Sequence, residues 1–385
     1  MKIKNISLLS IFASLVLVGC EDSDNDSTGP QDPSYTTGTA VFGDSTGEDV
    51  MYGIEKIAGG FLLVGNTASL NNGSSSDGLV MQVDGAGNVI WEATIDSGNS
   101  NYDRLYDIEV DSNGVIVVGG FATIAAGDTD MWIATLSSGG TLQNMNLFGD
   151  TGVNERAYTV GDWSNYDIYM LGGYNSSTTG TIQYANRADL SIGNTVLLGT
   201  NSTWYRGVKT SDNLIVHVGD MLVDGQYDGI FTAIDAVDAV YIDTPGKVIS
   251  TIASRLYGVN RTPSNGLVIC GLADGGNGYI AKATNSGEIV WEVTTTQGAT
   301  LYDILEDSMG NIVAAGYSGS DAFMVKLDAL GNILATQTFD GSGGNDRFYG
   351  IAESDNSEFV MVGYTEDSNG DKNGWMVTTD PNGNL

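Results

Sequence analysis

Beyond residue 20 no long stretch places apolar residues at helical spacing; what recurs is a short apolar run closed by glycine. Seven such runs follow one another: FLLVG (61–65), VIVVG (115–119), IYMLG (168–172), LIVHVG (214–219), LVICG (267–271), IVAAG (312–316) and FVMVG (359–363). Runs of this length without polar alternation read as strands covered on both faces. Thirteen or fourteen residues before each closing glycine stands a tyrosine: Tyr52, Tyr106, Tyr158, Tyr205, Tyr257, Tyr302 and Tyr349. Successive tyrosines lie 54, 52, 47, 52, 45 and 47 residues apart, so the chain is a seven-fold repeat.

Each repeat reads as four strands. Strand a follows the tyrosine (YDIEV, 106–110), and strand b is the apolar run. Strand c starts at Asp or Asn (DGLVMQVD, 77–84; DAFMVKLD, 321–328), and strand d follows a glycine turn (GNVIWEATI, 87–95; GEIVWEVTT, 287–295). A four-strand unit with no free face cannot fold alone, and radial stacking around an axis covers every unit. The expected fold is all-β: a seven-bladed β-propeller of four-stranded antiparallel blades. Repeats 3 and 4 lack both the d-strand tryptophan and a clean D-x-x-G-N turn, which leaves their c and d strands poorly defined. The chain ends DPNGNL (380–385), where repeat 7 still needs strand d, while TAVFG (39–43) is a d-type segment with no repeat before it. The N-terminal strand is therefore expected to complete the C-terminal blade.

The repeat pattern of repeats 1 and 6 resembles the propeller repeats of about 50 residues found in bacterial and archaeal surface proteins. The N-terminus agrees with an exported protein. Lys2 and Lys4 precede an apolar run from Ile6 to Val18, too short for a confident membrane span and laid out as a signal peptide. Leu17-Val18-Gly19-Cys20 resembles the bacterial lipobox, which implies cleavage before Cys20 and acylation of its thiol and freed amine. Two or three acyl chains, at about 0.8 kcal/mol per buried methylene, would hold the protein on a membrane. The acidic EDSDND that follows resembles the surface-export signal of bacterial lipoproteins, and the Ser/Thr/Gly/Pro-rich remainder reads as a tether. The expected organisation is a signal peptide over 1–19, a tether with lipidated Cys20 over 20–36, and a propeller over 37–385, a monomer anchored to the cell envelope at the outer membrane.

Composition narrows the partners. With 53 Gly and 5 Pro the texture is that of short strands and tight turns. A formal charge of −33 repels phosphate backbones and argues against nucleic acid; an envelope protein or a glycan is the expected ligand, beside the membrane reached through the lipid anchor. Cys270 lies in a buried-strand pattern and reads as a small hydrophobe.

Candidate chemistry gathers just before the tyrosines. Asp49, Asp103, Glu155 and Asp346 stand three residues before a repeat tyrosine, and Arg104, Arg156, Arg255 and Arg347 two before. In propellers this d-to-a loop shares a face with the b-to-c loop. The acids and arginines are therefore either a ring that binds a cation or a polyhydroxylated ligand, or Asp–Arg ties between blades. Asp367, Asn369 and Asp371 have the alternating spacing of a calcium loop, making calcium a candidate cofactor, but Lys372 replaces the turn glycine and Thr378 the final glutamate. GDSTG (43–47) matches G-x-S-x-G without the helix that motif needs. His217, the only histidine, sits inside a strand and reads as core, and Trp91 and Trp291 read as packing. The favoured function is a non-catalytic envelope binding or scaffold module. The alternatives are a carboxylate-based polysaccharide lyase or glycosidase and, by resemblance, a scaffold like the propeller lipoproteins of outer-membrane protein assembly, which have eight shorter blades.

Overall fold

A computed structural model describes residues 37–385 apart from 44–46, 69–74, 99–101, 164–167, 176–178, 211–213, 236–239 and 242–246. The lipobox, Cys20 and the tether lie outside the described residues. The described chain is all β-strand. The first strand, β1 (Gly38–Phe42), is followed by blade 1, made of β2 (Val50–Ile57), β3 (Gly60–Thr67), β4 (Asp77–Val83) and β5 (Val89–Ile95). Blade 2 is β6 (Asp103–Val110), β7 (Ile116–Ala125), β8 (Asp128–Leu136) and β9 (Leu142–Phe148). Blade 3 is β10 (Glu155–Trp163), β11 (Ile168–Asn175), β12 (Thr179–Asn186) and β13 (Ile192–Thr200). Blade 4 is β14 (Ser202–Lys209), β15 (Leu214–Val223) and β16 (Gln226–Asp235), with two short outer pieces, β17 (Val240–Tyr241) and β18 (Lys247–Val248), both paired to β16. Blade 5 is β19 (Ala253–Arg261), β20 (Leu267–Ala273), β21 (Asn277–Ala283) and β22 (Ile289–Gly298). Blade 6 is β23 (Thr300–Glu306), β24 (Ile312–Ser318), β25 (Asp321–Leu327) and β26 (Ile333–Phe339), and blade 7 is β27 (Asp346–Glu353), β28 (Phe359–Glu366) and β29 (Lys372–Thr379), completed by β1.

The ring closes as the sequence pattern requires. β1 pairs antiparallel with β29, Gly38 opposite Thr378 and Phe42 opposite Gly374, so the outermost strand of the last blade comes from the start of the fold. Phe42 then joins Met51, Ile54, Leu63, Val360 and Met376 in the core between blades 7 and 1. Seven such hydrophobic clusters among the described residues each fill one blade interface. This is why strand b is apolar throughout: β3 is buried along its whole length, one face against each neighbouring blade.

Strand a begins two to four residues before the tyrosine rather than after it, because the ladder continues through a β-bulge at the tyrosine itself. In all seven blades the register skips that residue: Met51 and Gly53 pair with consecutive residues of β3, and the same break falls at Tyr106, Tyr158, Tyr205, Tyr257, Tyr302 and Tyr349. A bulge leaves its extra residue unpaired and re-aims the side chain. It also drives the carbonyl of the residue two before the tyrosine against strand b. Gly65, Gly120, Gly173, Gly219, Gly271, Gly316 and Gly363 each face that carbonyl so closely that a Cβ would overlap its oxygen. In repeats 2 and 3 the glycine in register is thus Gly120 and Gly173, the second of a Gly-Gly pair. The first one answers a different neighbour: Gly172 leaves room for the His217 ring.

Candidate functional site

The seven bulges point seven tyrosines at the central axis. Ring centroids of neighbours lie 4.9 Å apart for Tyr52–Tyr106 and Tyr106–Tyr158, 5.5 Å for Tyr158–Tyr205 and 4.9 Å for Tyr205–Tyr257. They lie 5.1 Å apart for Tyr257–Tyr302, 4.9 Å for Tyr302–Tyr349 and 5.1 Å for Tyr349–Tyr52, so the circle is closed. Neighbouring planes are tilted by 42° to 67°, and Tyr52–Tyr106 comes nearest to edge-to-face. The ring encloses a cavity of about 180 Å3 with Arg206 at its floor. Burial raises the tyrosine hydroxyls well above their ordinary acidity range at Tyr52, Tyr158, Tyr205, Tyr302 and Tyr349, so they stay neutral and able to donate.

Arginines flank this cup above and below. Arg206 follows Tyr205 directly and reaches two blades in each direction, to Asp107 at 3.2 Å and Asp303 at 3.3 Å. Asp107 also accepts from Thr159 Oγ1 and the Val160 N–H, and Asp303 from the Ile351 N–H, each on the next blade. Deeper in the channel Glu55 is pushed up to about 7 and Glu109 to about 8, by burial first and by neighbouring carboxylates second. On the rim, Arg104 meets Glu48 at 3.2 Å and Arg255 meets Asp220 at 3.2 Å while lying 4.1 Å over the Tyr227 ring. Arg156 lies 4.4 Å over Phe121 and Arg347 4.0 Å over Tyr317, each stacked on the preceding blade.

Many solved propellers resemble this chain. Virginiamycin B lyase from Staphylococcus aureus has a TM-score of 0.60 at 14% identity, covering 89% of this chain and 99% of that one. The Dos1 propeller has a TM-score of 0.53 at 12% identity, covering 87% and 84%. Sqt1 of Chaetomium thermophilum, bound to the N-terminus of the ribosomal protein L10, has a TM-score of 0.53 at 13% identity, covering 88% and 98%. The likeness establishes the propeller fold. No protein-family model matches the chain, and no curated protein matches its sequence.

The residues singled out before the tyrosines divide into two groups. The acids turn away from the mouth: Asp49, Asp103 and Asp346 are 1%, 1% and 0% exposed. Asp49 accepts the Ala68 N–H, Asp103 those of Ser97 and Thr123, and Asp346 those of Gly341 and Glu366; Glu155 accepts from Asp150. Each thus pins its own blade's loops, and burial holds Asp103 up at about 6 and Glu155 at about 7. The arginines stay on the mouth. Adjacent Asp and Arg do not pair with one another, because neighbouring residues on a strand point to opposite sides; of each such pair it is the arginine that packs on the neighbouring blade.

Asp367 closes the turn between β28 and β29. Its Oδ1 accepts the N–H groups of Asn369 and Asp371, with Gly370 at φ +88°. Asp84 and Asp328 build the same turn, with Gly87 at φ +84° and Gly331 at φ +86°, so Asp367, Asn369 and Asp371 follow the repeat's own turn chemistry. His217 is fully buried, pushed down to about 3 by burial, and neither ring nitrogen has a hydrogen-bond partner among the described residues. Trp91 bonds Gln82 at 2.6 Å and packs on Gly140, and Trp291 bonds the Ala329 carbonyl at 3.1 Å and packs on Gly331, both joining blade to blade. Cys270 is a buried, free thiol. The motif at 43–47 lies partly outside the described residues.

Sequence reasoning used the tyrosines as repeat markers and missed them as a site. It also missed Asp107, Arg206 and Asp303. Their signal was the residue after each tyrosine, which is Gly, Asp, Thr, Arg, Gly, Asp and Gly in chain order, charged in blades 2, 4 and 6.

Proposed function

We propose that the chain is a non-catalytic binding module of the cell envelope, lipid-anchored through Cys20, that holds a larger ligand by one residue-sized group seated in the tyrosine cup. The observation that carries this reading is the closed ring of seven tyrosines around a cavity of about 180 Å3, at the mouth of a rigid scaffold. Concave sites with aromatic walls and a few fixed polar groups are where ligands bind. The surrounding chemistry favours holding over turnover. The loop carboxylates are committed to backbone N–H groups, His217 is sealed in the core, and Asp107 and Asp303 are bridged by Arg206 beneath the ring. The Sqt1 propeller bound to a peptide end is a case of this fold holding a chain terminus.

The test compares the full chain carrying Cys20→Ser, which cannot be acylated, with the same chain also carrying Tyr106→Ala and Tyr302→Ala. Both are run on a glycan array and in pull-downs from envelope extracts. The reading expects a retained ligand that the cup variant loses and that is recovered chemically unchanged. Retention by both forms would refute the cup as the seat, and a cleaved ligand would establish an enzyme.

A further inference from the structure

The placement of positive charge identifies the ligand's chemistry. The chain has seven arginines against 48 acidic residues, and five of the seven, Arg104, Arg156, Arg206, Arg255 and Arg347, stand on the inner strands beside the tyrosine cup. Three have carboxylate partners: Glu48 for Arg104, Asp107 and Asp303 for Arg206, and Asp220 for Arg255. Arg156 and Arg347 differ. Among the described residues neither forms a salt bridge, and the titratable groups that act on each guanidinium are tyrosines. Their Nε atoms are buried and without a hydrogen-bond partner.

A half-buried guanidinium without a counter-ion is costly unless something else supplies the negative charge. Packing on Phe121 and Tyr317, with Tyr158 against Arg156 and Tyr302 against Arg347, holds both guanidiniums at the edge of the cup, where a planar carboxylate could engage their remaining N–H groups. The cup beside them adds aromatic faces and a circle of phenolic hydroxyls. An aspartate side chain would use the guanidiniums and leave the hydroxyls idle. A neutral sugar would use rings and hydroxyls and leave both charges unmatched. Of these three, a sugar that bears a carboxylate uses both.

Resting on the mouth as the ligand seat, we propose that the ligand is an acidic glycan, one uronic-acid residue seated in the tyrosine cup with its carboxylate on Arg156 or Arg347. The rest of the surface supports this selectivity. At a net charge of −33 the surface as a whole disfavours a polyanion, so the arginine-rich mouth is where an anionic group would be held.

The experiment titrates the full Cys20→Ser chain by calorimetry with oligogalacturonate, its methyl ester and an acidic peptide. Oligogalacturonate is expected to bind, with affinity about tenfold or more weaker for the methyl ester and for Arg156→Gln/Arg347→Gln. Arg156→Lys/Arg347→Lys, which keeps the charge and loses the fork, should fall between. Should the glutamine pair fail to fold, the methyl ester against unmodified chain decides alone. Equal binding of ester and acid overturns the uronate and leaves the binding module standing. Binding of the peptide and not the uronate overturns it in favour of a protein ligand, and binding of none of the three overturns it outright. Uronate binding that survives Tyr106→Ala/Tyr302→Ala overturns the cup itself.

Discussion

Replacing Arg206 with methionine removes the cation that bridges Asp107 and Asp303 while keeping an unbranched side chain in the channel. The guanidinium is 20% exposed, and its partners are 11% and 4% exposed. Breaking a buried ion pair by deleting one partner costs about 3–5 kcal/mol, because the other charge stays buried. The pH dependence follows from the two glutamates below. The folded values of Glu55 and Glu109, about 7 and 8, lie above the ordinary 4.5, so the folded state binds more protons than the unfolded. Their contribution is fully present below about pH 4.5 and is lost as pH rises through 7 to 8. For Glu55 alone the displacement corresponds to about 3 kcal/mol at high pH. Arg206 holds down the carboxyls of Glu55 and Asp303, so without it both rise further. The variant should therefore lose about 3–5 kcal/mol at pH 8 and clearly less at pH 5.5, read by urea unfolding at both values. Glu109→Gln should be stabilising at pH 8 and clearly less so at pH 5.5. A loss from Arg206→Met that is the same at both pH values, or below about 1 kcal/mol, would refute the reasoning.

Three further outcomes follow from the fold. Gly120→Ala sets a methyl against the Arg104 carbonyl and should cost about 1–3 kcal/mol or prevent folding, whereas Gly139→Ala, in open space and outside the left-handed region, should cost less; equal melting temperatures would contradict the bulge account. Deleting residues 37–45 removes β1 and exposes the core around Phe42, so thermal unfolding should shift down strongly, while shortening residues 21–34 should leave it unchanged. At the Asp367 turn calcium should add no stability, because Asp367 already accepts two backbone N–H groups of its own turn; a rise in melting temperature with calcium that Asp367→Ala abolishes would show that the turn opens to a metal.

The architecture was legible because its causes are local. An apolar run covered on both sides, a glycine turn after an aspartate and a tyrosine at a fixed offset each reflect short-range physics, and TAVFG declared itself by matching the d strands elsewhere. The off-by-one glycines in blades 2 and 3 show where that ends: Gly119 and Gly120 look alike in sequence, and only the bulge at Tyr106 decides which one the carbonyl crowds. The site was less legible because it is made by closing the ring. Arg206 meets residues 99 and 97 positions away, and no spacing along the chain encodes that meeting. Adjacent Asp-Arg pairs suggested partners, yet strand alternation sends one into the blade and the other to the mouth.

The most direct test plugs the cup. Tyr302→Trp adds bulk to the wall of a cavity of about 180 Å3, and Leu334→Trp, at an exposed position on β26, serves as the control. Calorimetric titration with oligogalacturonate should give wild-type affinity for Leu334→Trp and loss of binding for Tyr302→Trp, with the two variants melting alike. Undiminished affinity in a folded Tyr302→Trp chain would contradict the tyrosine cup as the binding site.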